Sequence, residues 1–306
     1  MEVTNLNYFW MIIKGMMMGI ANIIPGVSGG TMAVSLGIYD DMIFAITHLF
    51  KKWKKSFKIL LPLGIGLVAG VIFFSYAIEF LLSRYTLPTA LAFVGLILGG
   101  LPILFRKFQA SMKQYQLNLN ISHIIVFLAF FAIVVGMSFM QETEAGFTSL
   151  EVNFTNIIVL FVIGIIASAT MVVPGISGSL VLMILGYYYG IINTLTNFFD
   201  ALRVLDWEAL VYNTSLLLPF GIGVLLGIFL ISKIIEYLFI HHPSLTYSGI
   251  LGLVIASPFA IIYNTNALAD LSGSNALSFT IIGIVLLVIS FYLTYKLGKT
   301  EEPTTK

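Results

Sequence analysis

Charged side chains interrupt this chain rarely, and the intervals between them are long. Uncharged stretches run over Gly15–Tyr39, Tyr85–Phe105, Gln114–Gln141, Val152–Phe199, Ala209–Ser232, Tyr237–Ala269 and Leu271–Tyr295. A membrane-spanning helix needs about 20 mainly apolar residues, so several of these runs hold two crossings. Divided at their turn signals, they predict helices at 8–24, 28–49, 59–82, 88–105, 121–140, 156–173, 177–198, 214–240, 246–263 and 276–297. The runs are continuously apolar and lack the ten-residue alternation of a membrane β-barrel, so the expected class is an all-α integral membrane bundle. Lys14 falls inside the first apolar run and no small-residue cleavage site follows a short core. That first segment reads as retained rather than as a cleaved signal peptide.

The pattern occurs twice. Pro25-Gly26-Val27-Ser28-Gly29-Gly30 returns as Pro174-Gly175-Ile176-Ser177-Gly178-Ser179, and the same offset aligns Gly15 with Gly164, Leu36-Gly37 with Leu185-Gly186, and Tyr39 with Tyr188. Leu60-Leu61-Pro62-Leu63-Gly64-Ile65-Gly66 matches Leu217-Leu218-Pro219-Phe220-Gly221-Ile222-Gly223. Gly70 then pairs with Gly227, Glu79 with Glu236 and, one residue of slippage later, Pro102 with Pro258. Such ordered self-similarity marks a duplicated unit. We divide the chain into a first repeat at 1–140, with hairpin 8–49 and helices 59–82, 88–105 and 121–140. A linker follows at 141–155. The second repeat is 156–306, with hairpin 156–198, helices 214–240, 246–263 and 276–297, and a tail.

Composition adds little beyond the class: 59% hydrophobic and 9% charged residues exclude an ordinary water-soluble globule. The net charge of +1 excludes the concentrated basic face of a nucleic-acid binder. With no cysteine there is no disulfide, thiolate or Cys-ligated metal. The placement of charge says more. Each repeat has five apolar segments, an odd number, so the second should enter from the opposite side. If the 50–58 loop is cytoplasmic, Lys51, Lys52, Lys54, Lys55, Lys58, Arg106, Lys107, Lys113, Lys296, Lys299 and Lys306 share its side. That is 11 of the 15 basic residues. The other side holds Arg84, Arg203 and many carboxylates, and the 141–155 linker becomes extracellular. The predicted fold is an inverted-topology repeat, each half a re-entrant or broken helical hairpin plus three transmembrane helices. Replacing either hairpin by two full spans leaves this parity unchanged.

The chemistry points to the two Pro-Gly-x-Ser-Gly elements. Pro25-Gly26 and Pro174-Gly175 break the helix inside an apolar region, and Ser28 and Ser177 stand where an N-cap would start the outgoing arm. The first N–H groups of a helix have no intrahelical partner and sit at its positive end, which favours an anion. Gly29, Gly30 and Thr31 in one tip, and Gly178 and Ser179 beside Ser177 in the other, are therefore candidate phosphate ligands. Broken helices facing each other across a pseudo-two-fold axis build the midplane sites of many transporters. A well-capped hinge with no ligand is the bland alternative.

Ionisable groups in a bundle are costly and mark function by default. Glu79 and Glu236 fall at matched places, and Lys233 precedes Glu236 by three residues, the spacing of an ion pair. Both glutamates are candidates for gating or proton coupling, against the plainer reading that they snorkel to the interface. Asn22 and Arg84 are candidate cavity-lining residues; each also fits a structural role, in helix packing for Asn22 and interfacial anchoring for Arg84. His241-His242 has no partners at ligand spacing, so no metal site is expected, and nothing in the sequence calls for a cofactor.

Gly19-Ile20-Ala21-Asn22-Ile23-Ile24-Pro25-Gly26-Val27-Ser28-Gly29-Gly30-Thr31, with its second copy at 174–179, resembles the bacterial polyprenyl-phosphate transporter family. The resemblance covers nearly the whole chain. It implies a flippase that returns undecaprenyl phosphate from the outer to the cytoplasmic leaflet, recycling the lipid carrier for cell-wall synthesis. It implies residence in the bacterial plasma membrane, with Lys-rich loops and C-terminus cytoplasmic. A coupling ion, proton or sodium, would fit such a transporter. Ser179 departs from the first copy, which has Gly30, so the tips need not contribute equally.

Integral-membrane polyprenyl-pyrophosphate phosphatases share inverted repeats, hairpins and a Pro-Gly-x-Ser element. In those enzymes an arginine follows the serine, and a glutamate-rich motif supplies acid–base chemistry. Here Gly29 and Gly178 take the arginine position and no glutamate cluster lies near either tip. Phosphoryl transfer depends on stabilising developing negative charge, so the sequence favours binding without hydrolysis and a protein that is not an enzyme. A secondary transporter of a small soluble anion is the third reading. Competition by a long-tailed lipid phosphate would separate it from the first.

Overall fold

The computed structural model describes residues 8–24, 27–140, 150–273 and 275–299. Apolar runs that cannot leave backbone groups unpaired in lipid become helices, here α1 (Tyr8–Ile23), α2 (Gly29–Ser35), α3 (Tyr39–Thr47), α4 (Trp53–Arg84), α5 (Thr86–Gln114), α6 (Ile121–Phe139), α7 (Phe154–Val172), α8 (Gly178–Ile184), α9 (Tyr188–Val204), α10 (Trp207–His241), α11 (Pro243–Asn264) and α12 (Ala276–Lys299). A single 3₁₀ turn, Ala267–Ser272, precedes α12. Among the described residues seven helices are long and apolar enough to cross a membrane, or eight if the bent α8–α9 pair counts as one span. At 1.5 Å per residue α1 reaches only about 24 Å, short of the roughly 30 Å hydrocarbon core.

The outgoing arms differ from the sequence expectation of continuous helices over 28–49 and 177–198. Each is cut in two. Ile38 N–H donates to Ala33 O and Gly37 N–H to Val34 O, while Tyr187 N–H donates to Leu182 O and Gly186 N–H to Met183 O. These are paired Schellman closures around a left-handed glycine, with φ +76° at Gly37 and +78° at Gly186. Apolarity hid the breaks, since the pattern stays hydrophobic across them. The angle between α8 and α9 is 112°. Several spans also run past their apolar limits, as in α4, α5 and α10, because the polar ends remain helical beyond the lipid-facing part.

Close helix approach uses glycines in the same register in both halves. A Cβ on Gly15 would strike Leu63 O and one on Gly66 would strike Ile12 O; Gly164 meets Phe220 O and Gly223 meets Phe161 O likewise. Thus α1 lies parallel to α4, and α7 parallel to α10. The remaining spans pair across the halves. α5 runs along α12 through Gly95 against Leu287 and Gly99 against Phe291, and α6 runs along α11 through Gly252 against Phe127. Polar contacts fix the second pairing: Ser248 donates to His123 O at 2.7 Å and Ser244 Oγ lies 3.2 Å from His123 Nε2. The largest buried apolar cluster surrounds α2 and α3, with Met32, Leu36 and Ile38 fully enclosed. The first hairpin is therefore the packing centre.

Candidate functional site

The two helix breaks meet. Gly175 N–H donates to Thr31 Oγ1 at 2.6 Å and to Ser28 Oγ at 3.2 Å. Tyr39 donates its hydroxyl proton to Val172 O at 3.0 Å, and a Cβ on Gly30 would lie 3.2 Å from the same carbonyl. Gly175 adopts φ +82°, and a Cβ there would come within 2.9 Å of Leu253 O. The left-handed turn and the nearby α11 backbone both require glycine at this place. Pro25 and Gly26 lie outside the described residues, so the first break is seen only from its flanks.

The first tip is buried and internally satisfied. Ser28 is extended and caps α2, its Oγ accepting from Thr31 N–H at 3.2 Å and lying 3.0 Å from Thr31 Oγ1. Asn22 Oδ1 accepts from Gly29 N–H at 2.6 Å. Gly29 and Gly30 are buried, Ser28 is 4% exposed and Thr31 is fully enclosed.

The second tip is open. Ser177 stands at the N-cap of α8 but its side chain makes no capping bond; its Oγ instead lies 3.0 Å from Ser179 Oγ. Ser179 is exposed, and Ser177 and Gly178 are half-buried. The repeat offset puts Met171, itself exposed, where the first tip has Asn22. No carboxamide is available there to occupy the Gly178 N–H. Pro174 is buried beside this turn. Of the predicted phosphate ligands, Ser179 is exposed and Ser177 half-buried, while Gly178 lies beside the Thr170 hydroxyl, which a Cβ there would meet at 2.8 Å. Ser28, Gly29, Gly30 and Thr31 support them from below.

The other candidates lie apart. Glu236 is part of a network at the Lys-rich end: Lys233 Nζ donates to its Oε2 at 2.8 Å, Thr47 Oγ1 to its Oε1 at 2.9 Å, and His48 Nδ1 lies 3.2 Å from Oε1. Glu79 is exposed. Arg84 is exposed at the last turn of α4. Asn22 is exposed, with its side chain hydrogen-bonded to Gly29.

The surroundings of two further groups emerge only in three dimensions. Lys14, in the middle of α1, is 1% exposed; its signal in the sequence is a lone lysine within an apolar run. Asp40 accepts from Lys107 Nζ at 2.6 Å and from Tyr247 OH at 3.2 Å, tying the first hairpin to α5 and α11. An apolar groove of about 450 Å³ lies between α5, α11 and α12, lined by Leu98, Leu101, Pro102, Phe105, Leu251, Ile255 and Phe291. With no polar side chain it cannot hold a phosphate. Among the described residues no group of His, Cys, Asp and Glu could hold a metal ion.

The decisive comparison is with whole sequences. Residues 18–207 and 199–304 match the model of the VCA0040-like, undecaprenyl phosphate translocase-like family. The chain belongs to this family. It is 33% identical over 291 residues to the polyprenyl-phosphate transporter of Staphylococcus aureus (strain NCTC 8325 / PS 47), covering 94% of this chain and 95% of that one. It is 27% identical over 266 residues to the polyprenyl-phosphate transporter of Vibrio cholerae serotype O1 (strain ATCC 39315 / El Tor Inaba N16961), covering 82% and 77%. Both relatives are named as transporters, neither as an enzyme. No solved structure matches the chain.

Proposed function

We propose that this protein moves polyprenyl phosphate, with undecaprenyl phosphate as the expected lipid, from the outer to the cytoplasmic leaflet of a bacterial plasma membrane. There the lipid carrier is reused for cell-wall synthesis. The observation that carries the reading is the open second tip, Ser177-Gly178-Ser179, seated on a buried first tip within a family of polyprenyl-phosphate transporters. A phosphate monoester cannot cross about 30 Å of hydrocarbon unaided, because an ion loses its hydration there. The isoprenoid tail has no such barrier. Held by hydroxyls and amides at the tips, the headgroup would travel through the bundle while the tail stays in lipid.

The halves are read as inverted repeats that rock about the joined tips. Matching glycine contacts of α1 on α4 and of α7 on α10 support this, as does the reciprocal pairing of α5 with α12 and α6 with α11. The Lys-rich end is assigned to the cytoplasm by the positive-inside rule, and Glu79 and Glu236 are assigned to gating or to coupling with a proton or sodium ion.

The test is reconstitution in liposomes loaded with polyprenyl phosphate, following its loss from one leaflet with and without a pH gradient. Protein-dependent loss is expected, accelerated by the gradient. A rate equal to protein-free vesicles would reject the function; a rate indifferent to pH would reject the proton role. Release of inorganic phosphate from polyprenyl pyrophosphate would instead favour the phosphatase reading.

A further inference from the structure

The network at Glu236 has a twin that is not assembled. The offset that aligns Tyr39 with Tyr188 carries Thr47 onto Thr196, His48 onto Asn197 and Phe50 onto Phe199. The offset that aligns Leu60 with Leu217 carries Glu79 onto Glu236 and Ile72 onto Phe229. In the first arrangement α3 runs antiparallel along α10. Tyr39 packs edge-on against Phe239 with centroids 6.2 Å apart, Thr47 and His48 reach Glu236, and Phe50 packs edge-on against Phe229 at 6.2 Å. The contact joins the arm of the first hairpin to a span of the second half, and it closes the Lys-rich end.

The equivalent contact would join α9 to α4. No comparable packing of those helices occurs among the described residues, although α9 does lie on α10. At the matched positions Glu79, Thr196 and Asn197 are exposed, where Thr47 is buried and His48 and Glu236 are half-buried; Phe199 is exposed like its counterpart Phe50. Thr196 turns its hydroxyl back to Ile192 O at 3.1 Å. One end is latched and the other is open at repeat-related positions, where Thr196 matches Thr47 and Glu79 matches Glu236 while Asn197 stands for His48. A hydrogen-bonded contact made at one end, with its repeat-related residues uncovered at the other, is what an alternating two-state element leaves behind in one of its states.

We propose that Glu79 with Thr196 and Asn197 forms the second latch of this transporter, closing the end opposite the lysines when Glu236 lets go of Thr47 and His48. The inference rests on the inverted-repeat reading above and deepens it by naming the residues of each gate. Glu236 and Glu79 are positioning residues; neither touches the headgroup. The groups facing Glu236 are Thr47, His48 and Lys233, with Lys52 and Lys55 above the neighbouring Phe44 ring. The second latch has no lysine on either side of its predicted contact in Thr196 and Asn197, so it is the weaker of the two. That agrees with the Lys-rich end being the closed one here.

The chain has no cysteine, so thiol pairs can be placed in it without altering any other position. Thr47→Cys with Glu236→Cys reports the first latch, and Glu79→Cys with Thr196→Cys the second, each treated in membranes with a short thiol crosslinker. Both pairs should cross-link, and locking either should stop transport. Adding Glu236→Gln to the Glu79→Cys/Thr196→Cys pair should raise its cross-linked fraction about fivefold, the shift expected from one lost half-exposed ion pair. Cross-linking of the first pair alone in a protein that transports lipid overturns the second latch. So does an unchanged second-pair fraction with Glu236→Gln. Cross-linking of both pairs in a protein that moves no polyprenyl phosphate upholds the latches and rejects the substrate.

Discussion

The two helix breaks share a sequence and differ in what their donors do. In the first, Asn22 holds Gly29 N–H, Ser28 caps α2, and Ser28 with Thr31 accepts Gly175 N–H from the second. In the second, Ser177 caps nothing and Ser179 is exposed. Hydroxyls enclosed in protein must be satisfied there, since an unpaired buried polar group costs about 1–3 kcal/mol. Exposed hydroxyls carry no such requirement. Duplication supplied the same element twice; burial left one enclosed in the bundle and the other exposed.

The sharpest way to break this comparison is Gly175→Ala. The left-handed backbone and the Leu253 carbonyl both oppose a side chain, each conflict on the order of 1–3 kcal/mol. We expect folded protein in membranes to fall severely and transport to be lost; near-normal yield and rate would show that the tips need not meet. Next comes Ser177→Ala with Ser179→Ala, which should weaken polyprenyl-phosphate binding about tenfold or more, at roughly 1 kcal/mol or above per lost bond, with insertion and thermal midpoint preserved. Unaltered binding would move the headgroup elsewhere.

Ser28→Ala should do the converse. Loss of a cap costs about 1 kcal/mol, so the melting temperature in detergent should drop while headgroup affinity changes less than for the Ser177/Ser179 double variant. A reversed order of the two effects would exchange the roles of the tips. A gentler probe is Met171→Asn, which puts a carboxamide at the place of Asn22. If it competes for Gly178 N–H, a titration should show affinity several-fold lower, as for one contested hydrogen bond of about 1 kcal/mol. Smallest of all, Arg84→Gln should leave the transport rate within about twofold, as expected for an exposed charge at a helix end.

Much of this molecule is legible in one dimension because lipid imposes a strict rule: apolar runs of sufficient length must be helical. The spans, the duplication, the breaks at Pro25-Gly26 and Pro174-Gly175, and the Lys233–Glu236 pair can all be read from residue order. The second set of breaks could not be, although Gly37 and Gly186 stood in the alignment of the repeats. An apolar helix and an apolar helix–turn–helix have the same hydropathy, and only the backbone dihedral distinguishes them. Lys14 was visible as an oddity but not as a buried group, because burial is a property of neighbours contributed by other segments.

The amino-acid order by itself determined a helical membrane protein whose sequence repeats, with two short Pro-Gly-x-Ser-Gly elements, since period, length and composition act locally. Tertiary structure decided which element is open. It did so because two near-identical tips cannot both occupy the packed centre of one bundle: enclosing the first commits its hydroxyls to the backbone of the second, and the second is left with donors to spare.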